Sequence, residues 1–129
     1  MKTNHILLVD DNDIDNYINN HIIEDNNIAE KITTMNSPIS TLSFLNEIKD
    51  DFDAFPDLIF LDISMPKMDG FGFLEELIKF PKVIEKQCNV YMLTSSNNPK
   101  DIARALEFDV VKDYFIKPLE DEMLEVFKK

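Results

Sequence analysis

Four short runs of consecutive apolar residues, HILLV at 5–9, DLIFL at 57–61, NVYML at 89–93 and DYFI at 113–116, punctuate a chain otherwise patterned at helical spacing. A strand with one wet face alternates apolar and polar residues. These runs do not, so they predict strands covered on both sides, as in a parallel sheet flanked by helices. A weaker strand is predicted in AEKITTM, residues 29–35. Between the runs, Ile14, Tyr17, Ile18, His21 and Ile22 recur on one helix face, as do Thr41, Leu42, Leu45 and Ile48. Phe71, Leu74, Leu77 and Ile78 make a third stripe, Ile102, Ala105 and Leu106 a fourth, and Leu119, Met123, Val126 and Phe127 a fifth. Ser37-Pro38 and Asn98-Pro99 each place a capping side chain before a proline at the first helical position, and Pro81 stops the third helix.

Strand and helix therefore alternate about five times, which implies parallel strands joined by right-handed helical crossovers. The expected fold is a doubly wound α/β sandwich. In such sheets ligands gather beyond the carboxyl ends of the strands, where the strand order reverses. The 129 residues, 44% of them apolar, suit one domain with a single sheet, and DDFDAFP at 50–56 reads as an acidic loop within it. There is no internal repeat, low-complexity tract or linker.

Charge narrows the partners. A formal net charge of −12 leaves no basic stripe to neutralise phosphates, which argues against nucleic acid and anionic membranes and leaves proteins and cations. Cys88 is the only cysteine, so no internal disulfide or multi-thiolate metal site is available, and its place in CNVYML marks it as a small core residue. No apolar run approaches the roughly 18–20 residues of a membrane span, and MKTNHILLVDD lacks the layout of a signal peptide. A cytoplasmic protein is expected.

The ends of the predicted strands carry the chemistry. The first ends in Asp10-Asp11, the next central one in Asp62 of LDISMPKMDG, then come Thr94-Ser95 and Lys117-Pro118, all directed to one edge. Carboxylates brought within roughly 4–6 Å repel one another by several kcal/mol, a cost relieved by protonation or by a cation. Oxygen-only ligands select Mg2+ or Ca2+, and Mg2+ keeps positions open for water and phosphate oxygens. An aspartate can then act as nucleophile toward phosphorus if positive charge balances the phosphoryl oxygens. On this reading Asp62 accepts the phosphate, Lys117 supplies fixed charge, and the Thr94 hydroxyl supplies a directed hydrogen bond. Asp13 and Asp15 are assigned to the acidic start of a helix, where the dipole favours them, and Met65 and Met68 to packing. Neither His5 nor His21 is assigned as a phosphate carrier.

From ILLVDD through LDISMPKMDG and MLTSS to FIKP, the chain resembles the receiver domains of bacterial two-component response regulators, of the stand-alone, CheY-like kind. The block D-x-x-M-P-x-M-D-G at 62–70 is specific when the other sets accompany it at these separations. The resemblance implies one receiver domain over residues 1–129 without a separate output domain, and a five-stranded flavodoxin-like sheet of order 2-1-3-4-5. It implies a phosphohistidine on a sensor histidine kinase or phosphotransfer protein as donor to Asp62. Asp11 and Asp62 would bind Mg2+ directly, Asp10 largely through water, and the Ser64 backbone carbonyl would complete the protein ligands. Thr94 and Lys117 would contact the phosphoryl group, Tyr114 would be the aromatic switch, and the bond before Pro118 would be cis.

Two positions depart from the family pattern. Val110 stands where a glycine usually precedes the last strand, so the turn there is expected to have another shape. Gly70 and Gly72 are the only glycines, which leaves the turns to Asn and Asp. The implied activity is a phosphorylation switch whose output is protein contact, as a monomer or a phosphorylation-dependent dimer, with self-phosphorylation and self-dephosphorylation as its only catalysis. The side chains of Ser64 and Ser96 are expected to tune phosphate lifetime. A metal-dependent aspartyl phosphohydrolase is the alternative from another class, weakened because Ser64 stands where such enzymes place a second acid. A non-phosphorylated scaffold on the same fold would not need every acidic, hydroxyl and lysine position that is present.

Overall fold

A computed structural model describes residues 3–128. Strands β1 (Thr3–Val9), β2 (Ala29–Met35), β3 (Leu58–Leu61), β4 (Asn89–Thr94) and β5 (Val111–Ile116) form one sheet of order β2-β1-β3-β4-β5, every pairing parallel. Helices α1 (Asp13–Asp25), α2 (Pro38–Glu47), α3 (Gly70–Leu77), α4 (Pro81–Glu85) and α5 (Pro99–Leu106) lie between the strands, and a 3-10 helix follows at Asp121–Lys128. The fold is the expected five-stranded doubly wound sandwich.

The unbroken apolar runs follow from this layering. Alternate strand residues enter opposite cores: Leu7, Val9, Ile59, Leu61, Val90 and Met92 pack with Leu45, Leu74 and Ala105 of α2, α3 and α5. Ile6, Leu8, Phe60 and Leu93 pack on the other side with Ile23 of α1 and Leu124 of the 3-10 helix. Each such side chain contributes about 1.5–3 kcal/mol by leaving water, so central strands with no polar face are the stable solution. The edge strand β2 is covered on fewer sides and is mostly half-buried or exposed, which is why its pattern was weaker. Cys88 is buried and free, its thiol pushed up to about 12 by burial, as suits a packing residue. His5 is also buried, its neutral ring donating from Nδ1 to the Ala54 carbonyl and accepting the Thr33 hydroxyl at Nε2, at 2.8 Å each.

Helix starts follow the sequence. Ser37 caps α2 by accepting from Ser40 N–H, Asn98 caps α5 by accepting from Lys100 N–H, and both helices carry proline in the first turn. Other expectations are corrected. Most of the apolar stripe predicted for α1 faces solvent: Ile14 is 70%, Tyr17 69% and Ile18 46% exposed, Ile22 alone of its aliphatic members packs against the core, and Asn16, Asn19 and Ile23 are buried. Asn16 explains the rotation, because its Nδ2 donates to the carbonyls of Asp10 (2.9 Å) and Met35 (3.2 Å) and joins the ends of β1 and β2. An aliphatic side chain there would leave both carbonyls without this donor. Pro81 does more than stop a helix, since α3 already ends at Leu77 and Pro81 opens the five-residue α4. The last amphipathic stretch is 3-10, with Leu124 rather than Val126 as its buried anchor.

Val110 adopts no left-handed conformation; among the described residues the non-glycine positions with positive φ are Asn27, Lys67 and Gln87. Only the first of these is the Asn or Asp expected at turns. No helix among the described residues is long and apolar enough to cross a membrane.

Candidate functional site

Strand register brings the acidic residues together. Val9 pairs with Leu61, and Asp62 N–H donates to the Val9 carbonyl at 3.0 Å, so the residues just past both strand ends, Asp10 and Asp62, sit side by side. Carboxylate oxygens of Asp10, Asp11 and Asp62 all lie within 4.8 Å of one another. Asp10 and Asp62 are buried and Asp11 is exposed at the mouth. Lys117 enters from the end of β5, where its N–H donates to the Thr94 carbonyl at 2.9 Å. The predicted set at positions 10, 11, 62, 94 and 117 therefore shares one rim of the sheet, and the Lys117-Pro118 bond is cis as expected.

Backbone donors orient the two buried carboxylates. Asp10 Oδ1 accepts Asn12 N–H and Asp62 Oδ1 accepts Ile63 N–H, both at 2.9 Å. Their Oδ2 atoms are left for Lys117, whose Nζ stands 2.6 Å from Asp10 and 3.6 Å from Asp62. Burial pushes the Asp10 carboxyl above the usual carboxylate range, and the Lys117 ammonium only partly offsets this. Burial also pulls Lys117 down, but its hydrogen bonds to Asp10 and Asp15 and the charge of Asp62 outweigh that and raise it. Asp15 was assigned to the helix start; its Oδ2 lies 2.9 Å from Lys117 Nζ. The only sequence signal for this contact is its place in the first turn after the acidic strand end.

The loop of the D-x-x-M-P-x-M-D-G block is fixed at both ends. Gly70 N–H donates to the Ile63 carbonyl at 2.8 Å, and Asp69 caps α3 by accepting Gly72 N–H at 2.9 Å. Ser64 is exposed in this loop, and among the described residues no hydrogen bond occupies its carbonyl. Thr94 is fully buried, with Oγ1 3.4 Å from the Ser96 N–H. Tyr114 is half-buried and its hydroxyl donates to the Ser96 carbonyl at 2.9 Å, while the Ser96 hydroxyl donates to Asp101 at 2.6 Å. The aromatic side chain of β5 is thereby tied to the loop that follows Thr94.

The pocket suits a hard divalent cation. Its donors are all oxygens, its three clustered carboxylates outnumber the one ammonium, and the exposed Asp11 leaves an open side. A surface cavity of about 770 Å³ lies elsewhere: Asn89, Val110 and Lys112 place it at the opposite end of β4 and β5, and none of the acidic-pocket residues lines it.

Residues 6–127 match the family described as the response regulator receiver domain. The chain is 31% identical to the two-component response regulator ORR8 of rice (Oryza sativa subsp. indica) over 119 residues, which are 92% of this chain and 90% of that one. A crystal structure of a two-component response regulator from Cytophaga hutchinsonii superposes with a TM-score of 0.89 at 30% identity, covering 99% of this chain and 96% of the other. The Mn2+-bound form of response regulator Rcp1 gives a TM-score of 0.75 at 28% identity, covering 97% and 87% of the two chains.

Proposed function

Since the chain belongs to the response regulator receiver domain family of two-component signalling, we propose that Asp62 is its phosphoryl acceptor and that a phosphohistidine on a sensor kinase or phosphotransfer protein is the donor. A carboxylate oxygen of Asp62 attacks phosphorus, the P–N bond breaks, and its electron pair stays with the departing imidazole. The product is an aspartyl phosphate, which water later cleaves to restore the carboxylate and release phosphate.

The observation that carries this reading is the convergence of Asp10, Asp11 and Asp62 within 4.8 Å, with Lys117 3.6 Å from Asp62. Asp10, Asp11, Asp62 and the Ser64 carbonyl would hold Mg2+, Asp10 largely through water. When bound, the cation supplies positive charge to the phosphoryl oxygens. Lys117 contributes a further positive charge from the β5 side, and the Thr94 hydroxyl a hydrogen bond. Tyr114 couples this event to the surface, because movement of Thr94 alters the loop whose Ser96 carbonyl accepts the Tyr114 hydroxyl. Ser64 and Ser96 flank the acceptor and set how long the phosphate persists. The output is contact with a protein partner by a monomer or a phosphorylation-dependent dimer. Exposed Ile14, Tyr17 and Ile18 beside the acidic rim support a protein as the molecule that approaches this side.

Incubation with acetyl phosphate and Mg2+ tests the assignment. Intact-mass measurement should show one added phosphoryl group, removed by chelation of Mg2+ beforehand and absent in Asp62→Asn. An unchanged mass in the wild type, or modification that survives Asp62→Asn, would overturn it.

A further inference from the structure

We propose that Asp15 is a positioning residue for Lys117, holding the ammonium outside the cation cluster so that Asp10 is free to serve a divalent ion; this rests on the metal site proposed above. Three facts support it. Lys117 Nζ is hydrogen-bonded to Asp10 Oδ2 at 2.6 Å and to Asp15 Oδ2 at 2.9 Å, so one ammonium bridges a carboxylate of the cluster and one outside it. Asp15 is fixed where it stands: its N–H donates to the Asn12 side chain at 3.1 Å, in the capping turn that starts α1. The two partners also differ in setting, for the Asp10 side chain is 6% exposed and that of Asp15 35%.

An ammonium and a dication drawing on the same Asp10 carboxylate repel each other, so a cation held there, even through water, weakens the grip of Asp10 on Lys117. Without Asp15, the loosened ammonium would have only Asp62, itself a member of the cluster. With Asp15 it keeps a hydrogen-bonded counter-charge at the rim and stays within reach of a group on Asp62. Asp15 thus separates the two tasks of the lysine: pairing with Asp10 and facing a phosphoryl group. A carboxylate in the first turn of a helix needs no such partner to be favourable. Asp13, in the same turn, shows the contrast, since its Oδ1 instead accepts from Asn36 Nδ2 at 3.1 Å.

The test is a double-mutant cycle on Mg2+ affinity, measured by calorimetry in the absence of any phosphoryl donor. Asp15→Asn should weaken Mg2+ binding about five- to tenfold, against about twofold or less for Asp13→Asn, which removes the same charge from the same turn. In the Lys117→Met background the effect of Asp15→Asn should shrink to that of Asp13→Asn. In parallel, the Lys117 ammonium resonance of the wild type should stay protected from solvent exchange on adding Mg2+ and lose that protection in Asp15→Asn. Equal weakening by Asp15→Asn in both backgrounds would make Asp15 a bulk charge and overturn the proposal. Failure of the wild type to bind Mg2+ would instead overturn the underlying metal site, and this inference with it.

Discussion

Gly70 lies so close to the backbone of Asp62 that a Cβ on it would stand 2.5 Å from the Asp62 carbonyl oxygen and 2.9 Å from the Ile63 Cα. Those atoms are backbone and cannot swing aside. Gly70→Ala should therefore destabilise the fold by about 1–3 kcal/mol and move the acceptor loop. Urea unfolding should report the loss, and acetyl phosphate labelling of the folded fraction should be slower than in the wild type. Unaltered stability would show that α3 can slide off the strand end at no cost.

Lys117 offsets part of the negative charge of the three-carboxylate cluster. Lys117→Met in chelator should lose about 1–3 kcal/mol, less than for a wholly buried pair because the lysine side chain is 17% exposed. Mg2+ should restore part of that stability and should bind more tightly than in the wild type, because the competing ammonium is gone. Chemical denaturation with and without Mg2+ measures both effects.

Tyr114→Phe removes the hydrogen bond to the Ser96 carbonyl and leaves the ring in place. The expected cost is about 0.5–1.5 kcal/mol. Phosphoryl incorporation at Asp62 should persist, while amide resonances of residues 95–101 should no longer respond to phosphorylation as in the wild type. An identical response would separate the hydroxyl from the switch.

Burial holds the His5 ring below the ordinary histidine range, with Ala54 and Thr33 occupying both nitrogens of its neutral form. The folded state then resists a proton that the unfolded state accepts near pH 6.5. Stability from this source is complete above that pH and falls as the solution is acidified toward the lower, folded value. His5→Gln should lower stability at pH 8 but flatten its decline between about pH 6.5 and 5. Melting temperatures across that range test the slope.

The residues that were legible from sequence are those whose neighbours in the chain determine their role. Asp10, Asp62, Thr94 and Lys117 each follow an apolar run, and parallel pairing puts such positions on one edge whatever the loops do. The solvent-facing stripe of α1 was misread for the opposite reason. Hydrophobic periodicity identifies a helix face, but the buried face carries a polar contact, the Asn16 amide donating to two strand-end carbonyls, which apolar spacing does not reveal. Asp15 was missed because its partner lies 102 positions away, a separation on which local spacing is silent.

The bond between Lys117 and Asp10 spans 107 positions of sequence. During synthesis Asp10, Asp11 and Asp62 all precede Lys117, so the pocket has no β5 ammonium to set among its carboxylates until β5 has been made. Competence at this pocket therefore waits on β5, and a product stalled before residue 117 carries the acids without their counterweight.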